Sequence, residues 1–140
     1  MEKLEYKYDV LMKSSKALLM AITLFQERYE DADMYERATY VASVVKHFEL
    51  FYEMLWKFLK FYLLEKHGIE TTGSKDVFRA IFAKNLINQQ QLDLLMNTVG
   101  IRNTTSHAYD PDFALALCKE IVHVYPAMQQ VIAAMEIPVD

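Results

Sequence analysis

Between Gly100 and Asp110 the chain reads Gly-Ile-Arg-Asn-Thr-Thr-Ser-His-Ala-Tyr-Asp, its densest polar cluster. A histidine in such a run can move a proton near neutral pH. An arginine offers a planar fork of donors that suits phosphate or carboxylate oxygens. The cluster lies between an apolar helical stretch and a well-capped one, so it is a junction whose side chains are free to converge on a ligand. In an unbroken helix Arg102 and His107 point roughly 140° apart. They can share one cleft if the helix unwinds after Arg102, or if two subunits pool their copies. The alternative is purely architectural: Asn103, Thr104, Thr105 and Ser106 end a helix, Arg102 pairs with a surface acid, and His107 bonds to backbone.

The other candidates are weaker. His47 and His67 sit among Lys and Glu and read as solvated surface residues. Glu120 and His123 have the Glu-x-x-His spacing that di-metal helical bundles use twice, but it occurs once here, so no metal site is expected. A lone Cys118 excludes an intramolecular disulfide and every multi-cysteine zinc pattern. The sequence has no Cys-x-x-Cys-His for haem, no phosphate-cradling glycine loop and no Gly-x-Ser-x-Gly elbow, and no cofactor is expected.

The elements that position the cluster can be read from periodicity and breakers. Gly and Pro number three each in 140 residues, which predicts long helices. Leu4, Tyr8, Leu11, Leu18, Ile22 and Phe25 share one helical face, giving a first helix over Glu2 to Tyr29. After a turn at 30–33, Asp33 with Glu36 resembles a capping box and starts a second helix, which runs from Met34 to about Gly68. On that helix Glu49, Glu53, Lys57 and Lys60 form one charged stripe, each Glu placed N-terminal to a Lys. The rest of 48–64 is apolar or aromatic. One bundle core rarely covers so wide an arc, so a second surface, an identical subunit, is expected against it. A membrane span is the poorer alternative, because a four-charge stripe is costly in lipid. Ser74 can cap a short helix over Lys75 to Lys84 with Val77, Ile81 and Phe82 inward. Asn88 can cap the next helix, which carries Leu92, Leu95, Met96 and Val99 and is expected to end or bend near Gly100. Asp110-Pro111-Asp112 starts the last helix, and Pro126 is expected to kink it.

No strand alternation or internal repeat is visible. The expectation is a single all-α domain over residues 1–140, an up-and-down antiparallel four-helix bundle with a short extra helix, homodimeric. With 53% hydrophobic and 24% charged residues the chain can bury a core, which argues against disorder. A net charge of −4 argues against holding nucleic acid by bulk charge alone, so any basic site must be local. The start Met-Glu-Lys-Leu-Glu carries charges where an export signal needs an apolar run, and a cytoplasmic protein with no membrane attachment is expected.

The run from Arg102 to Asp110 resembles the Arg-x4-His-x-Tyr motif of HEPN-domain proteins that pair with minimal nucleotidyltransferases, also called nucleotidyltransferase substrate-binding proteins. Upstream, Phe48-Glu49 with Glu53, Trp56-Lys57 and Lys60 is similar to the family's second-helix signature, and 74–88 with Arg79 to its third-helix block. The resemblance covers most of the chain. It implies a dimeric helical bundle with two Arg/His pairs lining a shared cleft, metal-independent cleavage of RNA, and a nucleotidyltransferase partner. On that reading His107 takes a proton from a ribose 2′-hydroxyl or returns one to the leaving oxygen, and Arg102 offsets the charge building on the phosphate. Asn103 and Ser106 would orient the substrate or the imidazole. Tyr109 would accept AMP from the partner, and the attached anion would oppose RNA phosphate in the same cleft. A non-catalytic subunit that presents substrate to the nucleotidyltransferase is the alternative the same resemblance allows.

Overall fold

A computed structural model describes residues 2–135 and folds them entirely into helices and their connections. In chain order these are α1 (Glu2–Arg28), α2 (Met34–His67), α3 (Ser74–Ala83), α4 (Gln89–Thr104), a 3-10 turn (Thr105–His107) and α5 (Pro111–Ala133). Four long helices and one short one make the bundle. No helix among the described residues is long and apolar enough to cross a membrane.

Local chemistry explains most helix ends. The Glu36 N–H donates to Asp33 Oδ1 at 2.9 Å, and the Asp33 N–H donates to Glu36 Oε1 at 3.1 Å, a complete capping box at the start of α2. Gly68 closes that helix with φ 64° and ψ 24°, a left-handed conformation that glycine adopts without steric cost. Asn88 and Gln91 form a second reciprocal box at the start of α4. Asp110 accepts from the Asp112 N–H at 3.0 Å, and Pro111 occupies the first turn of α5. α5 continues through Pro126 as one helix, lacking the one donor that proline cannot supply.

Two expected boundaries differ. Ser74 does not cap α3; Gly73 is the capping residue and has no side chain to do so. The Ser74 Oγ instead accepts a hydrogen bond from the Tyr52 hydroxyl at 2.7 Å, tying α3 to α2, and burial pushes the Tyr52 phenol above its ordinary pKa. On α3 the buried residues are Val77, Phe78 and Ile81, while Phe82 is only half-buried. Gly100 does not end α4, which runs on to Thr104. Burial of Thr98, Val99 and Ile101 on the same helix offsets the cost of about 1 kcal/mol for an interior glycine.

α2 is the central element and packs against each of the other four helices. Its Phe48, Phe51, Leu55, Leu59 and Leu63 are wholly buried, and Phe58 and Tyr62 nearly so. The wide apolar arc is therefore covered within a single chain, because neighbours on several sides share it. Leu50 and Leu64 are the large apolar side chains of α2's aromatic half that stay exposed. The arc therefore gives no ground for a second subunit there.

α1 is joined to α5 across a buried polar seam. The Ser15 Oγ lies 2.9 Å from the Tyr125 hydroxyl, which donates to the Ser15 carbonyl at 3.0 Å, and the Gln129 amide donates to both hydroxyls. Every partner in the seam is satisfied, as burial requires.

Candidate functional site

The polar cluster falls where α4 gives way to α5. Thr104 Oγ1 donates to the Ile101 carbonyl at 2.8 Å and Thr105 Oγ1 to the Arg102 carbonyl at 2.9 Å, so both threonines tighten the end of α4. The chain then makes one 3-10 turn and closes it with Ala108 N–H to the Thr105 carbonyl at 3.1 Å. This part of the architectural reading holds.

Arg102 turns toward α2. Its Nη1 donates to Thr105 Oγ1 at 3.0 Å and lies 3.4 Å from Glu49 Oε2, while Nε lies 3.6 Å from Glu53 Oε1. Nε is buried and makes no hydrogen bond within the geometric limit. No hydrogen bond among the described residues involves Nη2, which leaves that end of the guanidinium for a ligand oxygen. Glu53 is shared further: it accepts from Trp56 Nε1 at 3.0 Å and lies 3.8 Å from Lys57 Nζ.

His107 has other neighbours. Its ring meets Phe113 edge-on with centroids 6.1 Å apart and Tyr109 at 6.5 Å. It is exposed, and its imidazole makes no hydrogen bond among the described residues. Tyr109 is 84% exposed, so its hydroxyl is open to a reaction partner. Asn103 and Ser106 are also exposed and bond to nothing described. Arg102 and His107 thus share no hydrogen bond or ion pair within one chain.

Beside Tyr109 an open cavity of about 690 Å³ runs between the N-terminal half of α2 and the start of α5, with Val41, Val45 and Leu115 on its walls. Arg37 borders it but is already committed: it donates to the Tyr29 and Glu30 carbonyls at 2.9 and 2.7 Å and sits 4.8 Å over the Tyr29 ring. Its task is to clamp the α1–α2 corner. Among the described residues no group of three or more His, Cys, Asp or Glu is gathered, and Glu120 and His123 are both exposed on α5.

Sequence reasoning missed three members of this site. Glu49 and Glu53 read as surface partners of lysines, and only the tertiary approach of α4 brings them onto Arg102. Thr105 read as one more helix-ending residue, yet it is the buried one of the cluster and the one that orients the guanidinium. The faint signal for it was spacing, since position i+3 from Arg102 lies on the same helical face.

The family described as nucleotidyltransferase substrate binding protein like matches residues 13–137. No curated protein gives a significant match. A protein of Thermus thermophilus is 28% identical with a TM-score of 0.65, over 83% of this chain and 96% of its own. A Haemophilus influenzae structure, described as revealing the fold of a substrate binding domain of a nucleotidyltransferase, is 23% identical with a TM-score of 0.78, over 90% of this chain and 96% of its own. A tri-AMPylated HEPN toxin of Shewanella oneidensis, solved in complex with MNT antitoxin, is 21% identical with a TM-score of 0.65, over 91% of this chain and 98% of its own. At those identities the last two likenesses speak to fold. The match spanning 13–137, on a helical bundle that these solved structures share, establishes that the chain belongs to the nucleotidyltransferase substrate binding protein like family.

Proposed function

We propose that the chain is a HEPN ribonuclease toxin-like subunit, active as a homodimer and restrained by a nucleotidyltransferase partner that transfers AMP to Tyr109. The observation that carries this reading is the exposure of His107 and Tyr109 side by side on the turn that follows Arg102. A proton-transfer group and an acceptor hydroxyl both have to be reachable, and both are. In the cleavage step the ribose 2′-oxygen bonds to the adjacent phosphorus, His107 takes its proton, and the bond to the 5′-oxygen breaks as that oxygen gains a proton. The products are a cyclic phosphate and a 5′-hydroxyl. Arg102 supports the extra charge on the phosphate through its uncommitted Nη2, while Glu49, Glu53 and Thr105 hold the guanidinium in place. A second copy would bring its own His107 toward this Arg102. In the AMP step the Tyr109 oxygen bonds to the α-phosphorus of ATP held by the partner, pyrophosphate leaves, and the phenol proton passes to solvent or the partner.

A second reading has its own support. The open, largely apolar cavity beside Tyr109 and the pairing of Arg102 with two carboxylates suit a subunit that presents substrate to the nucleotidyltransferase and cleaves nothing. Four proteins separate the two: wild type, Arg102→Ala, His107→Ala and Tyr109→Phe, each assayed for RNA cleavage and for AMP incorporation with the partner. The ribonuclease reading expects cleavage by wild type and Tyr109→Phe, with AMP incorporation lost in Tyr109→Phe. RNA left uncut by wild type, with partner activity lost in all three variants, overturns it in favour of substrate presentation.

A further inference from the structure

Along α2, one turn beyond Glu53, the surface changes sign. A second open cavity, of about 500 Å³, lies between the start of α1 and the C-terminal half of α2, with Lys7, Lys57 and Lys60 on its walls against a single carboxylate, Glu70. Three ammoniums against Glu70 on the walls and Glu53, which pairs with Lys57 beside them, leave a local excess of positive charge on a chain whose net charge is −4. All three lysines are exposed. Lys7 is braced 5.1 Å over the Phe61 ring and Lys57 5.8 Å over the Trp56 ring, whereas Lys60 has no ion pair among the described residues. Thr71, on the same wall, has an enclosed hydroxyl with no hydrogen-bond partner.

This cavity is not isolated from the motif. One carboxylate, Glu53, reaches Arg102 Nε at 3.6 Å and Lys57 Nζ at 3.8 Å, so the guanidinium and the first lysine flank the same group. From Glu53 to Lys60 is two turns of α2, about 10 Å at 1.5 Å per residue. That distance spans a few phosphates at the ~3.4 Å axial rise of a nucleic-acid strand. Lysines are point charges that neutralise phosphate without reading bases, which suits a backbone track.

We propose that the pocket of Lys7, Lys57, Lys60 and Thr71 holds the sugar–phosphate backbone of the single-stranded RNA whose reacting phosphate lies at Arg102. This rests on the ribonuclease reading above and extends it, assigning the lysines of the α2 stripe to substrate binding. The lysines supply affinity that depends on salt and not on sequence.

The test is binding of fluorescein-labelled single-stranded RNA, followed by anisotropy across a salt series, with full-length His107→Ala as the parent so that cleavage does not intervene. Adding Lys7→Gln or Lys60→Gln is expected to weaken binding severalfold for every sequence and to lower the slope of log affinity against log salt by about 0.7 each. Lys119→Gln, on the exposed face of α5 and away from the pocket, serves as the control and leaves both unchanged. If the parent binds RNA and the two lysine variants keep its affinity and slope, the pocket assignment is overturned and the ribonuclease reading stands. If the parent binds no RNA, the ribonuclease reading falls and the pocket assignment with it. AMP competing at the same concentration as the oligonucleotide overturns the strand assignment by placing a mononucleotide there.

Discussion

Two polar clusters of similar residue types have been put to opposite uses. The seam of Ser15, Tyr125 and Gln129 is buried between α1 and α5, and each hydroxyl in it both donates and accepts. The cluster from Arg102 to Tyr109 is half open: Arg102 and Thr105 are fixed from below, while His107 and Tyr109 face solvent without hydrogen bonds. Both contain a tyrosine and a hydroxyl residue. What separates them is closure, since a satisfied, enclosed network adds rigidity whereas an unsatisfied, exposed one keeps bonding capacity for a ligand.

The sharpest way to break this comparison is a pair of substitutions with crossed effects. His107→Ala is expected to cut RNA cleavage by about 10² to 10⁴, the usual worth of general acid–base catalysis, with the urea midpoint unchanged because the ring is exposed. Arg102→Lys should recover only part of what Arg102→Ala loses, since the ammonium cannot reproduce the planar fork between Thr105 and the two glutamates. Tyr125→Phe should do the reverse. It leaves the Ser15 hydroxyl without its acceptor in a buried site, costing about 1–3 kcal/mol in urea unfolding, with cleavage and AMP incorporation retained. A Tyr125→Phe protein of wild-type stability would mean that the seam holds nothing together.

How far the two regions were legible follows from the range of the forces involved. The Asp33 box, the Asn88 cap, the Gly68 stop and the Asp110-Pro111 start depend on residues close to each other in the chain, and sequence alone finds them. Ser74 fits the local rule for a cap just as well, yet Tyr52, 22 positions away, claims its hydroxyl. The pairing of Glu49 and Glu53 with Arg102 is of the same kind: a local stripe predicted lysine partners, and only the Glu53–Lys57 pair forms, with the same carboxylate also turned to α4. In the cluster itself the candidate residue types could be read from order and spacing. The direction each side chain takes could not, because a single 3-10 turn separates Arg102 from His107 and sends them to different neighbours.

A smaller effect probes the closed region through its one thiol. Cys118 is fully buried on α5, and burial pushes its pKa up to about 12 against an ordinary value of 9.0, with Lys119 opposing slightly. The folded state therefore favours the neutral thiol. Above pH 9 the unfolded chain releases this proton while the folded chain keeps it, so stability is lost as pH rises from 9 toward 12. The expected slope is at most about 1.4 kcal/mol per pH unit. Urea midpoints at pH 8, 9 and 10 should fall more steeply for the wild type than for Cys118→Ala, whose loss comes from other groups alone. Parallel slopes would show that the thiol ionises as freely in the fold as out of it.

The smallest expected effect sits on the border between the two regions. Gly100 lies on α4, two residues before Arg102, and a Cβ built there meets nothing within 4 Å. Its φ is not in the left-handed region, so alanine fits the backbone as it stands. Gly100→Ala should therefore stabilise the fold by about 0.5–1 kcal/mol, by restricting the unfolded chain and favouring the helix. The stability gain alone would say only that α4 behaves as an ordinary helix. The informative readout is cleavage or AMP incorporation measured beside it. If the open cluster needs the end of α4 to give when ligand binds, stiffening it one turn upstream should raise the melting temperature and slow the reaction together, the usual exchange of function for stability at a site. If both reactions proceed at the wild-type rate in the stabilised protein, the openness of the cluster belongs to the 3-10 turn and the exposed side chains of His107 and Tyr109, and α4 is as rigid a support as the buried seam.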